Sequence, residues 1–385
     1  MVAGSPLFRR DVSAQADPRP FGEHRRVPGL DEMHTAFDFE PVMFANVPLR
    51  VADYTAHGDG SEFTLRRNRQ AFDWVDLVPG RAVDARTVDL GTDVLGTKMA
   101  YPILVAPTAY QGALHPDGEP GMFRAAAAAA NTPLVLSQNS TIAVDRVTSA
   151  ATAPLWCQFY PQQDRAGGQR LVESYQAAGA KAIVVTVDQQ ASYYERSLHD
   201  RNLGGATPSS VSGFRRGGTP PTQGPALYRA SGGRLWYSWS YLDELRRIVK
   251  TPLLAKGILT AEDARLCVEH GMDGVIVSNH GGRSMDYGPS TLEVLPEIVA
   301  AVGGRIPVVI DSGFRRGADI LKALALGANA VMLGRPTRWA LGAFGPAGAQ
   351  RVLEMLQREL VDATAAAGCI SMAAIDTRIV RTRFP

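Results

Sequence analysis

At 385 residues, with 45% hydrophobic and 20% charged side chains, the chain has the make-up of a globular enzyme of one large domain or two smaller ones. Its net charge of +2 gives no bulk drive toward nucleic acid or an anionic membrane. Its three cysteines, Cys157, Cys267 and Cys369, are too scattered for a metal motif and odd in number, which argues against a disulfide framework and for a reducing cytoplasm.

Residues 1–30 mix Pro, Gly and charge without periodicity, and Arg9, Arg10 and Asp11 are not followed by an apolar signal core. A flexible extension is expected there, with a single domain over 31–385. No apolar run in the chain has the length of a bilayer span. From residue 102 onward, short apolar runs alternate with helix-like stretches. The runs are Pro102–Ala106, Pro133–Leu136, Leu155–Phe159, Ala182–Val187, Pro252–Ala255, Gly274–Val277, Pro307–Ile310 and Ala330–Leu333. Helices are expected at Gly121–Ala130, Gly168–Ala178, Tyr241–Ile248, Ala261–His270, Thr291–Ala301 and Ala318–Leu326, with Gly179, Gly271 and Gly327 as their C-terminal stops. Continuous apolar strands alternating with helices mean a parallel sheet covered on both faces, and eight such units mean a (β/α)8 barrel.

Polar or glycine-rich residues recur where these strands end: Pro107-Thr108-Ala109, Ser137, Gln158 with Tyr160, Thr186 with Asp188, Lys256, Ser278 with His280 and Arg283, Asp311-Ser312-Gly313, and Gly334-Arg335. Barrel active sites are built on that rim, and a polar group at every strand end points to one large ligand across the mouth. The stretch from Leu203 to Gly233, rich in Gly, Ser, Pro and Thr, lies between the fourth and fifth strands and is expected to be a mobile lid.

Ser278-Asn-His-Gly-Gly-Arg283 carries the most chemistry. It sets His280 and Arg283 on one tight turn, a proton acceptor beside a carboxylate anchor. Asp188 can orient His280 and stabilise its protonated form. Gly313, Gly334 and Arg335 follow the seventh and eighth strands, where barrels commonly hold phosphate, and Arg315 can reach the same place. Lys256 is a buried cation that needs a counter-charge. Tyr54 and Tyr160 stand out by residue type alone.

Together these segments resemble the FMN-dependent α-hydroxy acid oxidase and dehydrogenase family. The resemblance covers residues 40–380 and is carried by Ala106-Pro-Thr-Ala109, Gln158-Phe-Tyr160, Thr186-Val-Asp188, Lys256-Gly-Ile-Leu-Thr-Ala-Glu-Asp-Ala-Arg265, Ser278–Arg283, Ile306–Gly317, Lys322–Ala328 and Gly334-Arg-Pro336. It implies a TIM barrel holding FMN at its C-terminal mouth. It implies His280 as the active-site base backed by Asp188, and Arg283 on the substrate carboxylate. Tyr54 and Tyr160 would contact the substrate. Pro107, Thr108, Ala109, Ser137, Gln158, Thr186, Lys256 and Ser278 would line the flavin, with Lys256 favouring its anionic reduced form. Asp311, Gly313, Arg315, Gly334 and Arg335 would take the ribityl phosphate end.

The chain departs from the family pattern twice. Tyr194 stands where a second carboxylate-binding arginine is expected, and Arg196 replaces it only if the loop shifts register. Asn139 stands near where short-chain oxidases place a large aromatic, leaving room that Tyr110, Tyr193 and Tyr194 can line. A bulky or aromatic, mandelate-like (S)-2-hydroxy acid is therefore expected. The alternatives are a non-redox FMN barrel of the isopentenyl-diphosphate isomerase type, a family member oxidising a non-standard substrate, and a non-catalytic flavoprotein. Oxygen, a quinone or a carrier protein all fit as acceptor. The weakly apolar 203–233 loop leans toward an oxidase not bound to membrane, no Cys-x-x-Cys-His haem motif is present, and the resemblance alone implies a homotetramer.

Overall fold

The computed structural model describes residues 28–188 and 237–385. After two 3-10 turns, the first described segment forms three short helices, α1 (Phe39–Asn46), α2 (Leu49–Ala56) and α3 (Phe63–Gln70). Strand β1 (Val75–Leu77) pairs antiparallel with the last strand, β12 (Val380–Thr382), tying the two ends of the domain together. A hairpin of β2 (Thr92–Val94) and β3 (Thr97–Met99) follows.

The next eight strands close into a parallel barrel in which the last pairs back to the first. They are β4 (Ile103–Val105), β5 (Leu134–Leu136), β6 (Leu155–Phe159), β7 (Ile183–Thr186), β8 (Leu253–Ile258), β9 (Gly274–Val277), β10 (Val308–Ile310) and β11 (Ala330–Leu333). Around them run α4 (Gly118–Ala128), α5 (Val144–Thr148), α6 (Arg165–Ala177), α7 (Trp239–Ile248), α8 (Ala261–Glu269), α9 (Thr291–Val302), α10 (Gly317–Ala325) and α11 (Arg335–Ala366). The eight strands and six helices match the sequence expectation to within a few residues, and Gly179, Gly271 and Gly327 all take positive φ at helix ends.

Side-chain alternation along each strand sorts the core into two layers. Ile103, Val105, Ile183, Val185, Val308 and Ile310 pack outward against helices. Leu104, Val135, Trp156, Val184, Leu254, Ile276, Val309 and Met332 fill the barrel interior. The β2–β3 hairpin adds Val94 and Met99 to this interior cluster, and Thr97 Oγ1 accepts a 2.9 Å hydrogen bond from Trp156 Nε1. The same period of two then dictates the next layer up. Ser137, Gln158, Thr186, Lys256, Ser278 and Asp311 share the parity of Val135, Trp156, Val184, Leu254, Ile276 and Val309, so a polar floor lies directly on the apolar plug.

Lys256 does not end its strand, as the sequence suggested. β8 runs on to Ile258, with a bulge between Lys256 and Ile258. Gly257 at the bulge has φ +108°, and a Cβ there would come within 2.6 Å of the Asp188 backbone nitrogen. Only glycine allows β8 to approach Asp188 this closely, which brings the lysine and the carboxylate together.

Two parts of the fold were not legible beforehand. Helices α1 to α3 have no side-chain cap hydrogen bond at their starts. Helix α11 is buried on several sides, with Arg338, Leu341, Val352, Gln357 and Leu360 all inside, so it lacks the one-sided apolar stripe that marks a surface helix. It breaks at Phe344 and Gly345, where the backbone leaves helical angles. The expected lid at 203–233 and nearly all of the 1–30 extension lie outside the described residues; within the latter, Leu30 begins a short 3-10 turn.

Candidate active site at the barrel mouth

His280, the first residue after Asn279 beyond β9, takes φ +58°, an uncommon angle for a non-glycine residue. Its backbone N–H donates to Ser278 Oγ at 3.1 Å, and its Nδ1 lies 2.9 Å from both oxygens of Asp188. Nδ1 therefore carries the proton, and Nε2 is left as the open basic atom. Burial lowers the pKa of His280 below the ordinary 6.5. Asp188 opposes that shift, and Lys256 and Arg283 add to it. The ring is thus neutral and able to accept a proton at neutral pH.

Lys256 sits beneath this pair. Its Nζ donates to Ser278 Oγ at 2.8 Å and lies 3.5 Å from Asp188 and 3.6 Å from Asp311. Burial disfavours the charge, but Asp311 and Asp188 outweigh it and raise the lysine pKa. Tyr160 is within electrostatic reach of the same lysine.

Ser312, expected on the polar rim but given no role of its own from the sequence, completes the network. Its Oγ donates to Asp311 Oδ1 at 2.7 Å and accepts from the Gly281 N–H at 3.0 Å, so it couples the His280 turn to the Lys256 cluster. It does so at φ +80°, where a side chain costs energy that glycine would not. The local signal is Asp-Ser-Gly at the end of the seventh barrel strand. Ser312→Ala keeps the strain and loses both bonds, whereas Ser312→Gly loses the bonds but relieves the strain. Ser312→Ala is therefore expected to melt below Ser312→Gly by about 1 kcal/mol equivalent, as read by thermal unfolding. Equal melting temperatures would remove the strain argument.

The wall on the first four strands carries an open hydrogen-bond donor. Gln158 Oε1 accepts from Gln138 N at 3.0 Å and Ser137 Oγ at 3.4 Å, which aims its amide nitrogen elsewhere. That nitrogen, Gln158 Nε2, is buried with no partner among the described residues, a donor waiting for an acceptor such as a ring carbonyl. Thr186 lies beside it in the same polar layer, and Pro107, Thr108 and Ala109 are half-buried at the exit of β4. Gln111 Nε2 donates to Thr108 Oγ1 at 3.1 Å and holds that exit in place.

The opposite side is cationic. Arg315 is 6% exposed, donates to Phe314 O at 2.7 Å, and stacks 4.4 Å from the centre of the Trp339 ring. Burial and the neighbouring Arg69 push it down to about 10. Burial, Arg283 and Arg315 push Arg335 down to about 9. Glu40 is within electrostatic reach of both, but among the described residues no carboxylate forms an ion pair with either, and such cations suit an anionic group such as a phosphate, next to the helix starts at Gly317 and Arg335. Gly313 has φ +91°, and a Cβ there would meet Asn68 O at 2.5 Å.

What holds these arginines is the C-terminal end of α2, whose last carbonyls lack helical partners and form the negative pole of the helix. Arg283 Nη1 donates to Tyr54 O at 2.7 Å and His57 O at 3.3 Å. Arg335 donates to Thr55 O, Gly281 O and His57 O at 2.9, 2.8 and 2.7 Å. Arg283 also stacks on the Tyr54 ring at 4.6 Å. Asn279 fixes the turn from below through a reciprocal amide pair with Asn68, at 2.9 and 2.8 Å. Tyr193, Tyr194 and Arg196 lie outside the described residues.

A parallel barrel with a buried lysine and a carboxylate-backed histidine at its mouth, a lone amide donor on one wall and a cationic end on the other, is the architecture of a flavin mononucleotide oxidoreductase. The family model for FMN-dependent dehydrogenases matches residues 44–382. Glycolate oxidase 3 of Arabidopsis thaliana is 39% identical over 356 residues, covering 91% of this chain and 96% of that protein. The glycolate oxidase of Spinacia oleracea is also 39% identical, covering 89% and 94%. Among solved structures, mandelate oxidase with (S)-2-phenylpropionate superimposes with a TM-score of 0.80 at 35% identity, covering 91% of this chain and 99% of that one. An (S)-mandelate dehydrogenase chimera gives 0.79 at 33% identity, covering 91% and 99%. The chain belongs to the FMN-dependent dehydrogenase family. It is an enzyme, an FMN-dependent 2-hydroxy acid oxidase or dehydrogenase.

Proposed function

We propose that the protein oxidises an (S)-2-hydroxy acid with a bulky or aromatic side chain to the 2-oxo acid, with His280 as the base. The observation that carries this reading is the His280–Asp188 contact, in which both carboxylate oxygens lie 2.9 Å from Nδ1 and leave Nε2 to the substrate. Arg283, fixed by the α2 carbonyls, supplies the cation for the substrate carboxylate. With that end anchored, the carbinol carbon comes to His280, and Nε2 takes a proton as the alcohol becomes a ketone. Asp188 stabilises the imidazolium that results. FMN, when bound, would supply the acceptor for the two electrons and the remaining hydrogen, together equivalent to a hydride. Lys256 keeps a positive charge under the reacting centre, and Tyr54 and Tyr160 orient the substrate from the sides.

The bulky side chain is supported by Asn139, which occupies little volume. Its carbonyl accepts from Tyr110 N at 3.1 Å, and Tyr110 meets Tyr54 edge-on with ring centres 6.1 Å apart. These rings offer an apolar, aromatic wall. Glycolate is the second reading, favoured by the identity with the plant glycolate oxidases.

One experiment separates them. The FMN-loaded protein is titrated anaerobically with glycolate, lactate, 2-hydroxyoctanoate and mandelate while flavin absorbance is followed. Mandelate is expected to bleach the flavin with the highest second-order rate constant, and air to restore the colour if oxygen is the acceptor. A preference for glycolate would overturn the bulky-substrate reading. Failure of every 2-hydroxy acid would overturn the proposed substrate class as a whole.

A further inference from the structure

Arg338 has no place in the reaction just described, yet it is one of the most constrained side chains at the mouth. It lies one helical turn beyond Arg335 on α11 and is 4% exposed. Among the described residues no carboxylate pairs with it. Its Nε and Nη2 both donate to Thr55 Oγ1, at 3.2 and 3.1 Å, and its Nη1 donates to the Ala109 carbonyl. Thr55 Oγ1 in turn donates to Val51 O at 2.9 Å. A hydroxyl has one donor and two acceptor positions, so this one is fully used and its geometry is fixed. The guanidinium carbon also lies 5.3 Å from the centre of the Tyr54 ring, the ring on which Arg283 stacks at 4.6 Å. Burial lowers the Arg338 pKa to about 10, while Tyr54 works to raise it and Arg283 to lower it. A buried cation with no carboxylate bonded to it among the described residues is costly even with Glu119 within electrostatic reach, and Arg283 on the same tyrosine adds repulsion; a site with no use for Arg338 would place an apolar residue here.

We propose that Arg338 is a positioning residue for the substrate carboxylate. It ties the end of α2 to the exit of β4 and holds the Tyr54 ring against Arg283, so that Tyr54 and Arg283 meet an incoming carboxylate in one fixed arrangement. The fork of the guanidinium is what matters. A lysine keeps the charge but presents its donors from one nitrogen, whereas Arg338 spreads its bonds to Thr55 Oγ1 and Ala109 O over three. The inference deepens the hydroxy acid reading and rests on its carboxylate site.

The test is binding of oxalate, a carboxylate that this chemistry cannot oxidise, to the FMN-loaded protein, followed as a change in flavin absorbance. Arg338→Met and Arg338→Lys are both expected to weaken oxalate about tenfold, the scale of one desolvated cation–π contact with its hydrogen bonds. In a Tyr54→Leu background, Arg338→Met should weaken it less than about twofold, because the ring it positions is gone. Binding as tight as wild type in Arg338→Lys would mean that charge alone is needed, and would overturn the proposal. So would a tenfold loss that persists without Tyr54, or no loss in either single variant. Should Arg338→Met fail to retain FMN, Arg338→Lys alone still decides. A wild-type protein whose flavin takes no notice of oxalate would instead overturn the carboxylate site itself.

Discussion

Reduction of the bound flavin by a 2-hydroxy acid is expected to slow by about 10²–10⁴-fold in His280→Gln, the range for loss of a positioned general base. Glutamine keeps the backbone N–H that donates to Ser278 Oγ, so the turn and the cofactor content should survive. Stopped-flow absorbance of the loaded protein reads the rate and the content together, and a variant as fast as wild type would remove His280 from the reaction. The pH dependence gives an independent check. The folded protein holds the His280 pKa below 6.5, through burial first, with Lys256 and Arg283 adding to it against Asp188. The acid limb of kcat/KM for the free enzyme should therefore have its midpoint below 6.5. A midpoint above that value would mean that Asp188 outweighs burial and the two cations. The sign for stability follows: folding favours the neutral ring, so this contribution is present above 6.5 and is lost as the pH falls from there toward the folded value.

The largest effect on stability is expected for Lys256→Met. It leaves Asp188 and Asp311 buried side by side with no cation between them, where wild type has Nζ 3.5 and 3.6 Å away. Breaking a buried pair by removing one partner costs about 3–5 kcal/mol. The midpoint of urea unfolding of the apoprotein should fall accordingly. Adding Asp311→Asn removes one of the stranded charges and should return part of the loss. A double variant no more stable than the single one would show that Asp311 does not pair with Lys256 in energetic terms. Because folding raises the lysine pKa, its stabilisation is complete below 10.5 and is lost as the pH climbs through the folded value. Since Lys256 also helps to hold His280 down, Lys256→Met should move the acid limb of activity upward.

The barrel was legible because its strands are buried on both faces and read as continuous apolar runs, with glycine stops after the helices. His280, Arg283, Asp188 and Lys256 were legible because each is a charged or basic residue at the end of an apolar run, where nothing but function or pairing tolerates it. Other residues were hidden for physical reasons. Arg338 sits three residues into a helix with no amphipathic stripe, so an arginine there looks like surface. Ser312 looks like ordinary turn chemistry until its φ of +80° is known. Thr55 matters through its hydroxyl and carbonyl, and His57 through its carbonyl. Neither residue type announces such a role. The bulge at Gly257 cannot be read from Lys-Gly-Ile, because only the register against β9 reveals it.

The grip of Arg283, Arg335 and Arg338 on the end of α2 also bears on the order in which the protein is made. Tyr54, Thr55 and His57 leave the ribosome early, while the residues that hold their carbonyls and hydroxyl come more than two hundred positions later. Until residue 338 has emerged, the end of α2 is fastened to the mouth of the barrel by Arg283 but lacks the bonds of Arg335 and Arg338. The cofactor pocket is then among the last parts of the molecule to be finished, and a yellow colour marks chains whose synthesis has passed that point. A nascent chain halted before α11 has all eight strands and Arg283 but still lacks Arg335 and Arg338, most of the grip on its own beginning.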